Sequence, residues 1–204
     1  MQTKFKDHSR LPDGEIEYEE SFLEIDEADR LFDALNRSIQ WSQHYVRVFG
    51  REYPCPRLSA WYGNPTAIYR YSGQTLSPEP WTSELQDLRR RIGERCRTQF
   101  DSVLLNLYRD GKDGMGWHSD DERELGPEPV IASLSLGAVR RFKMKHRRLR
   151  DLPTRSWPLA NGSLFIMRGS TQHLWKHEIP KTKRVVGPRI NLTFRWIGPE
   201  NKSL

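Results

Sequence analysis

The triplet His118-Ser119-Asp120, followed much later by His177 and then by the run Arg189-Ile-Asn191-Leu-Thr193-Phe-Arg195, is where residue types and spacing could do chemistry. His118 and Asp120 are two residues apart, so on an extended segment both side chains leave the same side of the backbone and can reach one metal ion. Two imidazoles and one carboxylate occupy one face of a metal and leave three positions open. Non-heme Fe(II) oxygenases use that ligand set to take a bidentate cosubstrate and O2. An arginine soon after the last ligand supplies a planar fork for a carboxylate. Iron beside a carboxylate clamp predicts 2-oxoglutarate as cosubstrate. His-x-Asp alone recurs by chance, and spacing leaves the third ligand open. His173 and His177 fall in one predicted strand with the same parity, so either could face the metal. His8 and His146 sit in charged surroundings and are expected at the surface.

Arg189 is the best candidate for the far carboxylate of the cosubstrate. Arg195, six residues on, faces the same way on a strand, with Asn191 and Thr193 between them in the same row. Asn106 and Tyr108 share parity on another predicted strand and can donate hydrogen bonds to cosubstrate oxygens. Buried polar residues satisfying one another are the alternative. A row of Arg, Asn, Thr and Arg pointing into a barrel is costly without an anion, however, which favours the clamp.

Elements must position these groups. Asp26 to Ile39 reads as a helix with Leu31, Phe32, Leu35 and Ile39 on one face and Asp26 as N-cap. Trp81 to Cys96 reads as a second helix, whose arginines (Arg89, Arg90, Arg91, Arg95) are expected on a solvated face. From Ser102 onward, short runs at 103–108, 130–137, 140–146, 163–169, 173–179 and 189–197 read as strands punctuated by glycine. Many short strands without intervening helices predict one α+β domain: a double-stranded β-helix, or jelly roll, buttressed by the N-terminal helices.

The chain has 204 residues, which suits one domain with a sizeable core, and a net charge of +6 that is compatible with a nucleic-acid partner. It has no apolar run long enough to span a membrane, and MQTKFKDHSRLPDGE lacks the apolar region of a secretory signal. Cys55 and Cys96 make no metal-ligand spacing and suit a reducing compartment. Arg140, Arg141, Lys143, Lys145, Arg147, Arg148 and Arg150 form one dense basic segment, and Lys181, Lys183 and Arg184 a second. A charge run is usually a solvated face, but with a nucleic-acid partner phosphate binding is expected of both.

Asn106-Leu-Tyr108-Arg-Asp-Gly, Gly116-Trp-His118-Ser-Asp120-Asp-Glu122 and Pro188-Arg189-Ile-Asn191-Leu-Thr193-Phe-Arg195 together resemble the AlkB family of nucleic-acid dealkylating dioxygenases. The resemblance extends through Val48-Phe49-Gly50, Pro56-Arg57, Tyr69-Arg-Tyr71-Ser-Gly73 and Leu76-Ser-Pro-Glu-Pro-Trp81 and covers roughly residues 45 to 197. It is strongest to the homologues that act on duplex DNA. It implies that the third iron ligand is the histidine of Trp-x-His-x-x-Pro, here His177, with His173 in the pocket wall or behind the ligands. It places Arg195 near the keto-acid end of 2-oxoglutarate. It implies a substrate surface in which Phe49 is a wedge entering the base stack, beside Gly50 and Arg51. Tyr71, with Tyr69 near it, would lie over a flipped base opposite the ring of His118. Glu122, with Asp121 nearby, would lie beside the base edge. A carboxylate there suits N1-methyladenine and N3-methylcytosine, which are cationic.

The expected organisation is an unassigned N-terminal tail over residues 1–20 and one dioxygenase domain over 21–204. Its substrate-handling part spans about 40–100 and its catalytic jelly roll about 102–197. The implied reaction uses Fe(II), O2 and 2-oxoglutarate to oxidise an N-methyl group on DNA, releasing formaldehyde, succinate and CO2. The same chemistry on RNA or protein, and a non-catalytic module that binds modified bases, are the alternatives. Phe49 and the basic segments favour nucleic acid, and intact ligands with both arginines favour catalysis. A monomer is expected, in the cytoplasm of a bacterial-type cell or the nucleus of a eukaryotic one, with no membrane partner.

Overall fold

Beyond residue 100 apolar and polar side chains alternate in short runs, and these runs are strands in the computed structural model, which describes residues 6–7, 10–48, 50–71 and 74–197. In chain order the elements begin with β1 (Lys6–Asp7), β2 (Arg10–Leu11), β3 (Gly14–Glu19), α1 (Ile25–Ser38), β4 (Ser42–Val48), β5 (Arg51–Gly63), β6 (Tyr69–Tyr71) and β7 (Gln74–Leu76). They continue with α2 (Ser83–Cys96), β8 (Ser102–Tyr108), β9 (Met115–His118), β10 (Ile131–Gly137), β11 (Arg140–His146) and β12 (Arg155–Leu159). The last are β13 (Ser163–Arg168), the short α3 (Thr171–Leu174), β14 (Trp175–Ile179) and β15 (Arg189–Arg195). A major sheet runs β1-β3-β13-β10-β15-β8-β5-β4, with β2 on β3; a minor sheet runs β12-β11-β14-β9; β6 pairs with β7.

The alternation decides what each face of the major sheet meets. On β15, Ile190, Leu192 and Phe194 join Val103, Leu105, Leu134 and Ile166 in a core closed by Leu35 of α1 and Leu85, Leu88 and Ile92 of α2. The other face meets the minor sheet, where the Phe165 ring packs tilted against Phe142 at 4.8 Å and edge-on against Trp157 at 5.2 Å. Arg189, Asn191, Thr193 and Arg195 therefore point between the sheets, and a one-residue slip of β15 would drive them into the helix-side core. The expected jelly roll with helices outside is the observed architecture. No helix among the described residues is long and apolar enough to cross a membrane.

Several local expectations change. Residues 14–19, in the unassigned tail, are strand β3, paired along β13 from Leu164↔Glu19 to Arg168↔Glu15. Asp26 lies in the first turn of α1 instead of capping it; Glu24 is the N-cap, without a side-chain cap bond. Helix α2 starts at Ser83 because the Thr82 hydroxyl accepts from Leu85 N–H, a better cap than an indole provides.

The arginines of α2 are not a solvated face. Arg89 donates to the Phe100 carbonyl and to Asn64, Arg91 pairs with Glu27 of α1, and Arg95 pairs with Glu17 at 3.0 Å and Glu19 at 2.9 Å on β3. Only Arg90 of the four keeps to the helix surface, with Asp87 and Glu94. His146 is buried, not superficial: Nδ1 accepts from the amides of Arg148 and Leu149, and the ring meets Trp175 edge-on.

Candidate metal centre and anion pocket

His118 ends β9 and His177 lies in the middle of β14, and the two are directly paired across the minor sheet. Their rings stand 4.1 Å apart, and a ligand atom from each lies within 4.8 Å of the others and of an Asp120 oxygen. His118 Nδ1 is 2.8 Å from the Gly116 carbonyl, which can only accept, so Nδ1 carries the proton and Nε2 presents its lone pair. That Nε2 faces an Asp120 carboxylate oxygen at 3.8 Å. Burial pushes His177 down to about 3 against the pull of Asp120, so its imidazole is neutral, the form that ligates a metal. Burial alone would raise the Asp120 carboxyl, but the Arg195 guanidinium at 3.0 Å outweighs it and holds the group below the usual aspartate value. The neutral His177 imidazole, the His118 ring and one anionic carboxylate are a donor set that fits a divalent metal.

His173 is not in the strand with His177. Ser170 accepts the amides of His173 and Leu174, so these residues form a helical turn, and the His173 ring turns out to the Pro127 carbonyl. The parity that made the two histidines equivalent does not exist.

The anion pocket is built on the major sheet. Arg189 pairs with Tyr108, Asn191 with Asn106 and Arg195 with Ser102 across β15 and β8, while Ser133 and Ser135 of β10 flank the row. Arg189 is fully buried and places one terminal nitrogen 2.9 Å from Ser135 Oγ and 3.3 Å from Asn191 Oδ1. Its Nε and its other terminal nitrogen have no partner, and it makes no ion pair among the described residues. Burial lowers it to about 10, which still leaves a cation at neutral pH. An uncompensated buried guanidinium with open donors fits the carboxylate of 2-oxoglutarate. Asn191 also bonds Ser133 and Thr193, and Asn106 accepts from Arg57 at 2.8 Å, which leaves its NH2 free to donate into the pocket. Tyr108 is buried with its ring 5.3 Å from the Arg189 guanidinium.

On the substrate side, Phe49 lies outside the described residues, and Tyr69 and Tyr71 are described only as backbone in β6. Gly50 closes the β4–β5 hairpin at φ +77°, which an L side chain resists, and Arg51 beside it is exposed. Asp121 is held by Arg147 at 2.5 Å. Glu122 is partly buried, with Oε2 enclosed and unpartnered. Of the first basic segment, Arg140 does not offer itself to phosphate: it is buried and ties together the carbonyls of Asp110, Asp113 and Pro180. Lys143 faces Glu178 and Lys145 sits over Trp117, whereas Arg148, Arg150, Lys181, Lys183 and Arg184 are exposed.

Sequence reasoning missed Arg57, Ser133, Ser135, Phe142 and Gln172, which touch the site residues across strands or loops. Parity along β10 could have suggested the two serines, but nothing local marks Gln172.

The 2OG-Fe(II) oxygenase superfamily profile matches residues 16–195. Alpha-ketoglutarate-dependent dioxygenase alkB homolog 3 of Mus musculus is 42% identical over 187 residues; the match covers 88% of this chain but only 65% of that protein's length. DNA oxidative demethylase ALKBH2 is equally similar: the Mus musculus protein is 42% identical over 86% of this chain and 77% of its own length. The Homo sapiens protein is 42% identical over 84% and 69%. The solved structure of OsALKBH1 superposes with a TM-score of 0.62 at 18% identity, covering 93% of this chain and 100% of that one, a likeness of fold.

Proposed function

The chain belongs to the 2OG-Fe(II) oxygenase superfamily, in its AlkB branch, and from that premise we propose that it is a DNA repair dioxygenase that removes N-alkyl groups from bases such as N1-methyladenine and N3-methylcytosine. The observation that carries this reading is the buried Arg189 guanidinium, with two unpartnered nitrogens, facing the same interior as the His118–Asp120–His177 cluster. When bound there, Fe(II) and 2-oxoglutarate supply O2-dependent oxidation of an N-methyl carbon.

The protein's own tasks are binding and orientation. His118, Asp120 and His177 would hold the metal, and Arg189 would hold the far carboxylate of the cosubstrate. Asn106 and Tyr108 would donate to cosubstrate oxygens, and Arg195 keeps Asp120 ionised. The Phe142 ring lies 5.3 Å from that of His177 and would back this ligand with an apolar surface. A hydroxymethyl group left on a base nitrogen loses formaldehyde without a protein acid.

Support for a cationic base comes from Glu122. Burial holds its carboxyl above the usual glutamate value, partly offset by Arg195, and its enclosed oxygen lacks a donor. A methylated base cation beside it would supply positive charge. The exposed cations of 148–150 and 181–184 suit phosphates. The projecting β4–β5 hairpin suits a duplex from which the lesion is extruded, since a methyl that blocks pairing lowers the cost of flipping.

Succinate and formaldehyde should form together on N1-methyladenine oligonucleotides and not on unmethylated ones. Turnover on RNA alone would move the substrate class. Binding of methylated DNA with no succinate under saturating Fe(II) and 2-oxoglutarate would replace the enzyme reading with a binding module.

A further inference from the structure

The β9–β14 ladder pairs His118 with His177 and goes no further, so no strand hydrogen bond places Asp120. Its backbone N–H is buried and is accepted instead by the side-chain carbonyl of Gln172 at 2.9 Å, 52 positions away in sequence. Gln172 is itself 1% exposed, and the acceptor found for its amide NH2 is the Met167 sulfur at 3.1 Å, a weak one. The strong bond of this buried amide is the one to Asp120. Two further contacts join the same segments: Ser119 Oγ donates to the Trp175 carbonyl at 2.8 Å, and Arg147 bridges Asp121 and the His173 carbonyl. Residues 119–121 are thus fastened to 172–175, immediately before His177.

We propose that Gln172 is a positioning residue of the metal centre: by holding the Asp120 peptide it sets the carboxylate against the two imidazoles and so determines metal affinity. The inference rests on reading His118, Asp120 and His177 as the metal ligands. A residue that orients ligands in this way is worth about 10–100-fold in metal affinity. A merely structural glutamine would change melting temperature and leave the affinity of the folded protein alone.

The test is a Co(II) titration of the chelator-stripped protein, followed by its d–d absorption. Gln172→Met, which keeps length and volume but removes the acceptor, should raise the Co(II) dissociation constant about 10–100-fold and alter the band. Met167→Leu, which removes only the weak contact, should stay within about threefold. If Gln172→Met does not fold, Gln172→Asn, whose carbonyl is withdrawn by one methylene, carries the same expectation. Unchanged Co(II) affinity in a folded Gln172 variant, with affinity lost in Asp120→Ala, overturns the positioning role and keeps the metal site. Unchanged affinity in Asp120→Ala overturns the metal site itself.

Discussion

A guanidinium that is fully buried, with two nitrogens lacking acceptors, is incomplete without an anion, and Arg189 is such a group. Losing a buried charge pair to a carboxylate costs about 2–5 kcal/mol. Arg189→Met should therefore raise the KM for 2-oxoglutarate from tens- to thousands-fold while leaving the Kd for methylated DNA nearly unchanged. Steady-state kinetics beside a DNA titration would check this, and equal losses on both ligands would show that Arg189 is no dedicated clamp. At the metal, His177→Ala should abolish Co(II) binding and turnover, and His173→Ala should keep both, because its ring turns away to Pro127. Metal content measured after desalting separates the two, with the reverse pattern exchanging the ligands.

At the scale of elements, β3 is held to α2 and β13 by charge: Glu17 accepts from Arg95 and Arg168, and Glu19 from Arg95. Burial alone would raise the Glu17 carboxyl, but the two guanidiniums outweigh it and leave it below the ordinary value. A carboxyl depressed in the fold stabilises above its unfolded pKa of about 4.3, and that contribution disappears as pH falls through the lower folded value. Glu17→Gln should thus cost about 1.5–3 kcal/mol at pH 7, typical of hydrogen bonds to charged groups, and almost nothing in strong acid. Thermal melts of both proteins across that range test it, and a deficit independent of pH would exclude the ion pairs as its source.

The β4–β5 hairpin raises a different expectation. Tyr45 and Tyr53 on its flanks are exposed, at 62% and 47%, so its outer half is not anchored in the core. If Phe49, which precedes Gly50 in sequence, is a wedge, Phe49→Ala should impair repair of duplex N1-methyladenine far more than of single strands, with no change in melting temperature. A core phenylalanine would instead cost about 3–5 kcal/mol and slow both substrates equally.

For the whole molecule, the site spans the gap between two sheets. The proposed metal ligands belong to the minor sheet and the loop after β9, the proposed cosubstrate clamp to the major sheet, and the Arg195–Asp120 pair crosses between them. Ligands that bind only the folded state stabilise it by about 2.7 kcal/mol at a hundredfold excess over Kd. For a chain of this size, each kcal/mol is worth about 2–4 °C. Mn(II) with 2-oxoglutarate should therefore raise Tm by several degrees in the absence of turnover, and Arg189→Met should erase the part due to 2-oxoglutarate. An equal 2-oxoglutarate increment in that variant would place the cosubstrate elsewhere.

Sequence by itself was enough for the alternation that makes Arg189, Asn191, Thr193 and Arg195 one row, for the jelly-roll class, and for the spacing that lets His118 and Asp120 share a metal. The row on β15 is a local property, because side-chain parity is set by the strand backbone whatever the strand packs against; Asp120 lies past the end of β9, so its meeting with His118 needed the tertiary contacts as well. Parity could not separate His173 from His177, because a helical turn ending at Leu174 intervenes and is held by backbone bonds to Ser170. Nor could it show that Arg140 is buried among carbonyls, that Arg91 and Arg95 bind carboxylates far away in sequence, or that Gln172 holds Asp120. Those contacts join residues between 27 and 78 positions apart, and which polar group meets which is decided only when both sheets and the helices close on one another.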